Sequence, residues 1–311
     1  QMLLCVCLIF CSCGSNESTE KPSAVSSDTA AKDSSPATTD AAGSRDNTPV
    51  VLTGSADGTV TYGNDSVTVD ASHTEEGYLM VSYSGSNSKV KLQITGSDEI
   101  TYTYNLHDGY ETFPLTSGSG SYTVGVFENI EGTSYSTLFT QAIDVTIQDE
   151  FGPYLYANQY VNFSADSKVI SKAMELSASA NDDLEVIENV YNYIITNFTY
   201  DYDKAASVQS GYLPNVDEVL ASQTGICFDY AAVMASMLRC ERIPTRLEVG
   251  YMGDVYHAWI STYIKDKGWV NGIIEFDGND WKLMDPTFAS TSSDPKDFLT
   301  QTDEYITKYV Y

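Results

Sequence analysis

Positive charge is what this chain has least of. Its 311 residues carry 16 Lys and Arg against 43 Asp and Glu, a formal net charge of −27 at pH 7. No basic run interrupts that excess. A polyanion is repelled by such a chain, which excludes nucleic acid as a partner and disfavours anionic surfaces and polymers as direct ligands. Histidine is scarce too, at 3 residues, and neither a Cys-x-x-Cys nor a paired His occurs. A structural zinc site wants more sulfur and imidazole than that, so no metal is expected, and no motif calls for a cofactor.

Cysteine is thinly and unevenly spread. Beyond Cys5, Cys7, Cys11 and Cys13 there are only Cys227 and Cys240. The first four belong to the apolar run Met2 to Phe10, too short to span a bilayer but suited to the apolar part of a secretory signal. The run ends in Cys11-Ser12-Cys13-Gly14-Ser15-Asn16 and turns abruptly polar. This resembles a bacterial lipoprotein signal, in which cleavage leaves a lipid-modified Cys at the new N-terminus. The resemblance implies lipid on Cys13, which small Ser12 precedes, and a protein exported and held at the outer face of the cell membrane by that lipid alone.

Export raises the question of a disulfide between Cys227 and Cys240. The segment between them has apolar Tyr230, Val233, Met234, Met237 and Leu238 at helical spacing. A helix of that length separates its ends by roughly 20 Å, whereas a disulfide tolerates only about 7 Å between Cα atoms. The pair is excluded, and Cys227 is expected to be a free thiol.

A chain this long predicts two domains plus unstructured sequence. After the signal-type segment at 1–13, residues 14–49 are mostly Ser, Thr, Ala and Asp and bury too little to fold. They are expected to be a flexible tether with a mean span of roughly 30–36 Å. Residues 50–148 carry short β-branched and aromatic runs at 67–69, 78–83, 90–95, 100–105, 121–127 and 142–147, punctuated by Gly, Ser and Asn. That spacing predicts an all-β, immunoglobulin-like sandwich. Its His73 and His107 fall in polar, turn-like sequence and are expected to be solvated. A Tyr-rich linker at 149–164 precedes an α+β region at 165–311. There helices are predicted from Ser164, after Asn181, at 216–221 and from Cys227, followed by strands at 246–251, 258–263, 273–276 and 281–284.

Three residues in that last region carry chemistry. Cys227 lies in Gly225-Ile226-Cys227-Phe228-Asp229-Tyr230, where a loop becomes a helix. His257 follows in Tyr256-His257-Ala258-Trp259, and Asp285 in Met284-Asp285-Pro286-Thr287. Cys, His and Asp are the parts of a thiol nucleophile, its base and the group that orients the base. A thiol has an ordinary pKa near 8.5. A helix N-terminus and an imidazolium both favour its anion, whereas Asp229 opposes it unless its carboxylate caps the helix and points away. The backbone N–H of Cys227 is the first donor expected for an oxyanion, with Gln223 as a tentative second.

The contexts of Cys227, His257 and Asp285 resemble the transglutaminase-like superfamily, the papain-related thiol enzymes. The resemblance covers about 165–311. It implies an α+β papain-like fold, with the sandwich outside it and Trp259, Trp269 and Trp281 packing around the site. It also implies a surface-anchored enzyme acting on carboxamide or peptide bonds of proteins or peptides through a Cys227 acyl-enzyme. Attack by an amine would give transglutamination, and attack by water hydrolysis. The competing expectation is a non-catalytic adaptor lipoprotein that uses the fold as a binding platform.

Overall fold

Alternation of apolar and polar side chains governs the first half of the fold. In strand β4 (Val90–Thr95), Val90, Leu92 and Ile94 are buried while Lys91, Gln93 and Thr95 are only partly so. In β5 (Thr101–Leu106), Tyr102, Tyr104 and Leu106 go inward while Thr101 and Thr103 stay exposed. A period of two is what a sheet with one buried face requires. The computed structural model describes residues 45–265, 267–271, 273–276, 281–284 and 305–311. The signal-type segment with Cys13, the tether as far as residue 44, and Asp285 lie outside the described residues.

Six further strands complete this half: β1 (Thr61–Gly63), β2 (Val67–Asp70), β3 (Tyr78–Tyr83), β6 (Gly109–Pro114), β7 (Gly120–Glu131) and β8 (Ser134–Val145). They form two four-stranded antiparallel sheets, ordered β1-β2-β3-β6 and β5-β4-β7-β8. The Tyr104 ring of one sheet meets Phe113 of the other at 4.8 Å, so the inward faces share a core. The two runs expected at 121–127 and 142–147 are one long hairpin. Gly132 turns it at φ +56, a backbone region that costs glycine nothing.

Helical periodicity takes over beyond the Tyr-rich stretch. The elements are α1 (Lys168–Ser177), α2 (Asp183–Asn197), β9 (Thr199–Tyr200), α3 (Tyr202–Ser207), α4 (Val216–Ser222), β10 (Thr224–Gly225) and α5 (Cys227–Cys240). Asp182 caps α2 by accepting from the Glu185 N–H at 2.9 Å, and Asn215 caps α4 through the Glu218 N–H at 3.2 Å. Ser167, not Ser164, stands before α1. Val186, Ile187, Val190, Tyr191 and Ile194 form the buried stripe of α2.

Every residue of α5 from Asp229 to Cys240 is buried, which makes it the central helix of this half. It packs on β11 (Thr245–Met252) and β12 (Val255–Ile264). These strands sit in an antiparallel sheet ordered β13-β12-β11-β16, with β13 (Gly268–Asn271) and β16 (Tyr305–Val310) at its sides. A separate hairpin pairs β14 (Ile273–Phe276) with β15 (Trp281–Met284).

The two halves are less separate than the sequence implies, since Ala42–Tyr311 form one compact unit. Residues 149–164 are packed in, with Gly152 to Tyr154, Val161 and Phe163 buried. The Tyr160 ring touches Tyr104, Phe228 and Tyr311. The fully buried Arg239 of α5 binds the Tyr156, Thr245 and Tyr311 carbonyls. The expected tether also ends early. Arg45 bonds Asp183 at 2.6 Å and Glu241 at 2.9 Å, and the Val50 N–H donates to the Cys240 carbonyl at 2.7 Å. Residues 45–49 are thus held because Glu241, with no exposed side-chain surface, needs a cation.

Candidate active site

The turn into α5 is built by a carboxylate. Asp229, in the first turn of the helix and fully buried, accepts from the Ile226 N–H at 2.8 Å. Helix N-termini leave such donors unpaired, and a side chain three residues on can close them. The same carboxylate takes the Lys204 ammonium at 2.6 Å and the Tyr212 hydroxyl at 2.5 Å. Lys204 in turn lies over the Tyr212 ring at 4.3 Å. Its pKa is raised: burial alone would lower it, but Asp229 and Tyr212 more than offset that. Asp229 therefore faces a cation and a backbone donor, as expected of a residue that caps the helix.

Cys227 is the first residue of α5, a free thiol of intermediate exposure. Cys240, at the far end, is a free and buried thiol whose S–H donates to the Met237 carbonyl at 3.1 Å. Burial, with Glu241 adding to it, pushes its pKa up to about 12. One helix thus carries two thiols in opposite environments.

His257 lies on β12 and is buried, at 4 % exposure. In the register it stands opposite Gly250, and its ring stacks near Trp259 at 6.2 Å between centroids. Trp259 is buried beside Tyr305, at 4.8 Å. Trp269 packs elsewhere, on Tyr154 at 5.0 Å, with the Arg246 guanidinium 3.7 Å over its ring. Gln223 ends α4 in the left-handed region at φ 52. Its side-chain amide donates to the Tyr193 hydroxyl at 3.4 Å, and it makes no hydrogen bond to Cys227 among the described residues.

Sequence reasoning passed over two tyrosines and a lysine. Tyr212 and Lys204 hold Asp229, and burial first, with the neighbouring Cys227 thiol next, pushes the Tyr200 pKa up to about 12. Nothing in residue type or spacing marks them, because β9, α3 and the segment between α3 and α4 bring them to α5 only through tertiary packing. Of the sandwich histidines, His107 is exposed as expected, beside Glu111 at 3.1 Å, whereas His73 is only partly exposed and lies against Asp57 at 3.0 Å and Glu76 at 3.4 Å.

A thiol on a helix N-terminus, a buried imidazole on the strand that packs against the helix, and the α+β layout around them define a class. Residues 170–272, about a third of the chain, match the model of the transglutaminase-like superfamily, and this stretch is a transglutaminase-like domain. Cys227 and His257 lie within the match, and Asp285 lies past its end. The chain is 28% identical over 89 residues to the UPF0252 protein MJ1282 of Methanocaldococcus jannaschii. That segment is 27% of this chain and 24% of the relative, so only a quarter of the relative's length is spanned.

Among solved structures, a candidate cysteine protease from Cytophaga hutchinsonii is 17% identical, with a TM-score of 0.34 over 73% of this chain and 68% of that one. Red sea bream transglutaminase is 14% identical, with a TM-score of 0.32 over 70% of this chain and 48% of that one. Scores this low carry no argument about activity or substrate.

Proposed function

We propose that the protein is a cysteine-dependent enzyme acting on carboxamide or peptide bonds of proteins or peptides through a Cys227 acyl-enzyme. The observation that carries this reading is a half-exposed thiol opening a buried helix, with a buried histidine on the strand the helix packs against. Chain geometry supports their meeting. Arg239, near the end of α5, binds the Thr245 carbonyl that opens β11, so the strand starts beside the C-terminal end of the helix. From Thr245 to Gly250 a strand runs back about 17 Å, close to the roughly 20 Å length of α5. His257 opposes Gly250 in the register, which supports a placement near the level of Cys227.

The chemistry follows from those groups. The Cys227 sulfur attacks the amide carbon, and the carbonyl oxygen takes the negative charge. The N–H of Cys227, at the start of the helix, is the donor expected for that oxygen. His257 takes the thiol proton and returns it to the departing amine, while Asp285, just past β15, steadies the ring. An amine acceptor gives transfer, and water gives hydrolysis.

The test is an acyl-enzyme. Incubation with glutamine-containing peptides, followed by acid quench and mass spectrometry, yields an adduct on Cys227 that is absent from Cys227→Ala. No adduct across a broad peptide set returns the protein to the adaptor reading.

The remaining proposals concern its setting. We assign residues 50–148 to an immunoglobulin-like domain: β2, β3 and β6 form one sheet with β1 at its edge, and β5, β4, β7 and β8 form the other. An experimental structure pairing β6 with β5 would break that assignment. Residues 165–311 form the catalytic domain. We place the protein outside the cell on a lipid at Cys13. Mass spectrometry of the mature N-terminus decides this, and an unmodified start at another residue rejects the anchor.

A further inference from the structure

The chain leading into α3 is tied to the chain leading into α5. Strand β9 pairs in parallel with β10, with Tyr200 opposite Gly225. The Thr199 N–H donates to the Gln223 carbonyl and the Asp201 N–H to the Gly225 carbonyl, both at 2.9 Å. Helix α3 starts at once. The Asp201 carboxylate accepts from the Lys204 N–H at 2.8 Å, and the Lys204 ammonium reaches Asp229 in the first turn of α5 at 2.6 Å. Tyr202, the first residue of α3, thus stands on a frame fixed from both sides. Gly225 comes two residues before Cys227, and Asp201 one before Tyr202. Three Cα steps of about 3.8 Å each and one hydrogen bond therefore link Tyr202 to the nucleophile. A peptide extended across the thiol covers that distance in about five residues.

At this place the fold exposes an aromatic ring. Tyr202 is 67 % exposed, and its ring meets Tyr200 edge-on at 5.0 Å between centroids. Tyr200 packs in turn on the buried Tyr230 at 6.2 Å. The free charge beside the ring has one sign. Asp203 is exposed next to it, and Lys204, the one cation of β9 and α3, is already neutralised by Asp229. The net charge of −27 adds to that field. A ring face attracts a cation, and a planar guanidinium stacks flat on it more readily than an ammonium does. A ring held in advance loses little freedom when a ligand settles on it.

We propose that Tyr202 is a specificity-determining residue that stacks with an arginine side chain of the peptide substrate, with Asp203 drawing in its charge. The proposal rests on the acyl-enzyme reading above and names the substrate class as polypeptides with arginine close to the scissile carboxamide. The guanidinium takes no part in the bond changes at Cys227. It raises kcat/KM by holding the peptide.

Glutamine peptides test this, made in pairs with Arg or its neutral near-isostere citrulline at each position up to about five residues either side of the glutamine. Acid quench and mass spectrometry give kcat/KM for acylation of Cys227. At one or more positions the arginine peptide is expected to be about fivefold the better substrate. Tyr202→Leu is expected to bring that ratio to about one, and Tyr202→Phe, which keeps the ring face, to preserve it. Asp203→Asn and added salt are each expected to lower it. A ratio near one at every position in the unaltered protein, or a ratio that survives Tyr202→Leu, overturns the proposal and leaves the enzyme standing. No acylation of Cys227 by any peptide removes the acyl-enzyme reading and this proposal with it. Should Tyr202→Leu melt early, phenylalanines of rising fluorine content at position 202 decide. They keep the shape while weakening the negative face of the ring, so the ratio is expected to fall with each fluorine, and a constant ratio overturns the proposal.

Discussion

Asp229 shows how one side chain is given several tasks. Its carboxylate closes the helix start at Ile226, binds Lys204 and Tyr212, and so fixes the backbone that presents Cys227. That arrangement has no spare room. A Cβ built on Gly225 meets the Asp229 Cβ at 2.7 Å and its Oδ2 at 2.9 Å. Neither atom can retreat, because the carboxylate is held by three donors. Gly225→Ala is therefore expected to cost about 1–3 kcal/mol and to impair Cys227 reactivity with it. Urea unfolding and alkylation rate measure the two effects, and a neutral result in both would remove Asp229 from its organising place. Of these residues, Asp229 was legible as a cap from its position two after Cys227. Lys204, Tyr212 and Tyr200 were not, because no local rule links a residue to a helix that begins some twenty residues later.

At the scale of elements, period-two and period-3.6 patterns marked most of the structure. The strands at 78–83, 90–95, 273–276 and 281–284 have the bounds their alternation implies, and α5 begins at Cys227. Elements that depend on a partner were missed. β1 and β9 are three and two residues long and exist only through pairing with β2 and β10. β6 opens on Gly109, which reads as the end of a turn. β16, Tyr305–Val310, is an edge strand beside β11, with Ile306 to Lys308 exposed. Its sequence carries little of the inward face that periodicity detects. The long β7–β8 hairpin was cut short for a similar reason, since its tip projects beyond the core and its residues from Ile130 to Ser134 are exposed.

For the whole molecule, the sequence suggested domains in series, and the contacts show a chain that doubles back. Residues 45–52 lie along the helical half before the first strand begins. Arg45 bonds Glu241, the Val50 N–H reaches Cys240, and the Leu52 carbonyl accepts from Ala157. Composition hid this, because 45–49 are as polar as the tether before them. Glu241 has no exposed side-chain surface, and its other side-chain partner is Ser177 at 3.0 Å. Arg45→Met leaves that carboxylate without its cation and is expected to destabilise the protein by about 3 kcal/mol. A chain starting at Thr53 is expected to lose at least as much. Thermal melting distinguishes this from a tether, whose removal would leave the melting temperature unchanged.

The central claim is that Cys227 is a nucleophile activated by His257. Site-resolved alkylation tests it most directly: iodoacetamide applied to the folded protein from pH 5 to pH 9, with Cys227 and Cys240 quantified separately by mass spectrometry. Cys240, its pKa raised to about 12, is expected to stay unmodified across that range. Cys227 is expected to react below pH 7, and His257→Ala to move its profile to higher pH. Equal, ordinary reactivity of both thiols, or a Cys227 profile indifferent to His257→Ala, would contradict the claim.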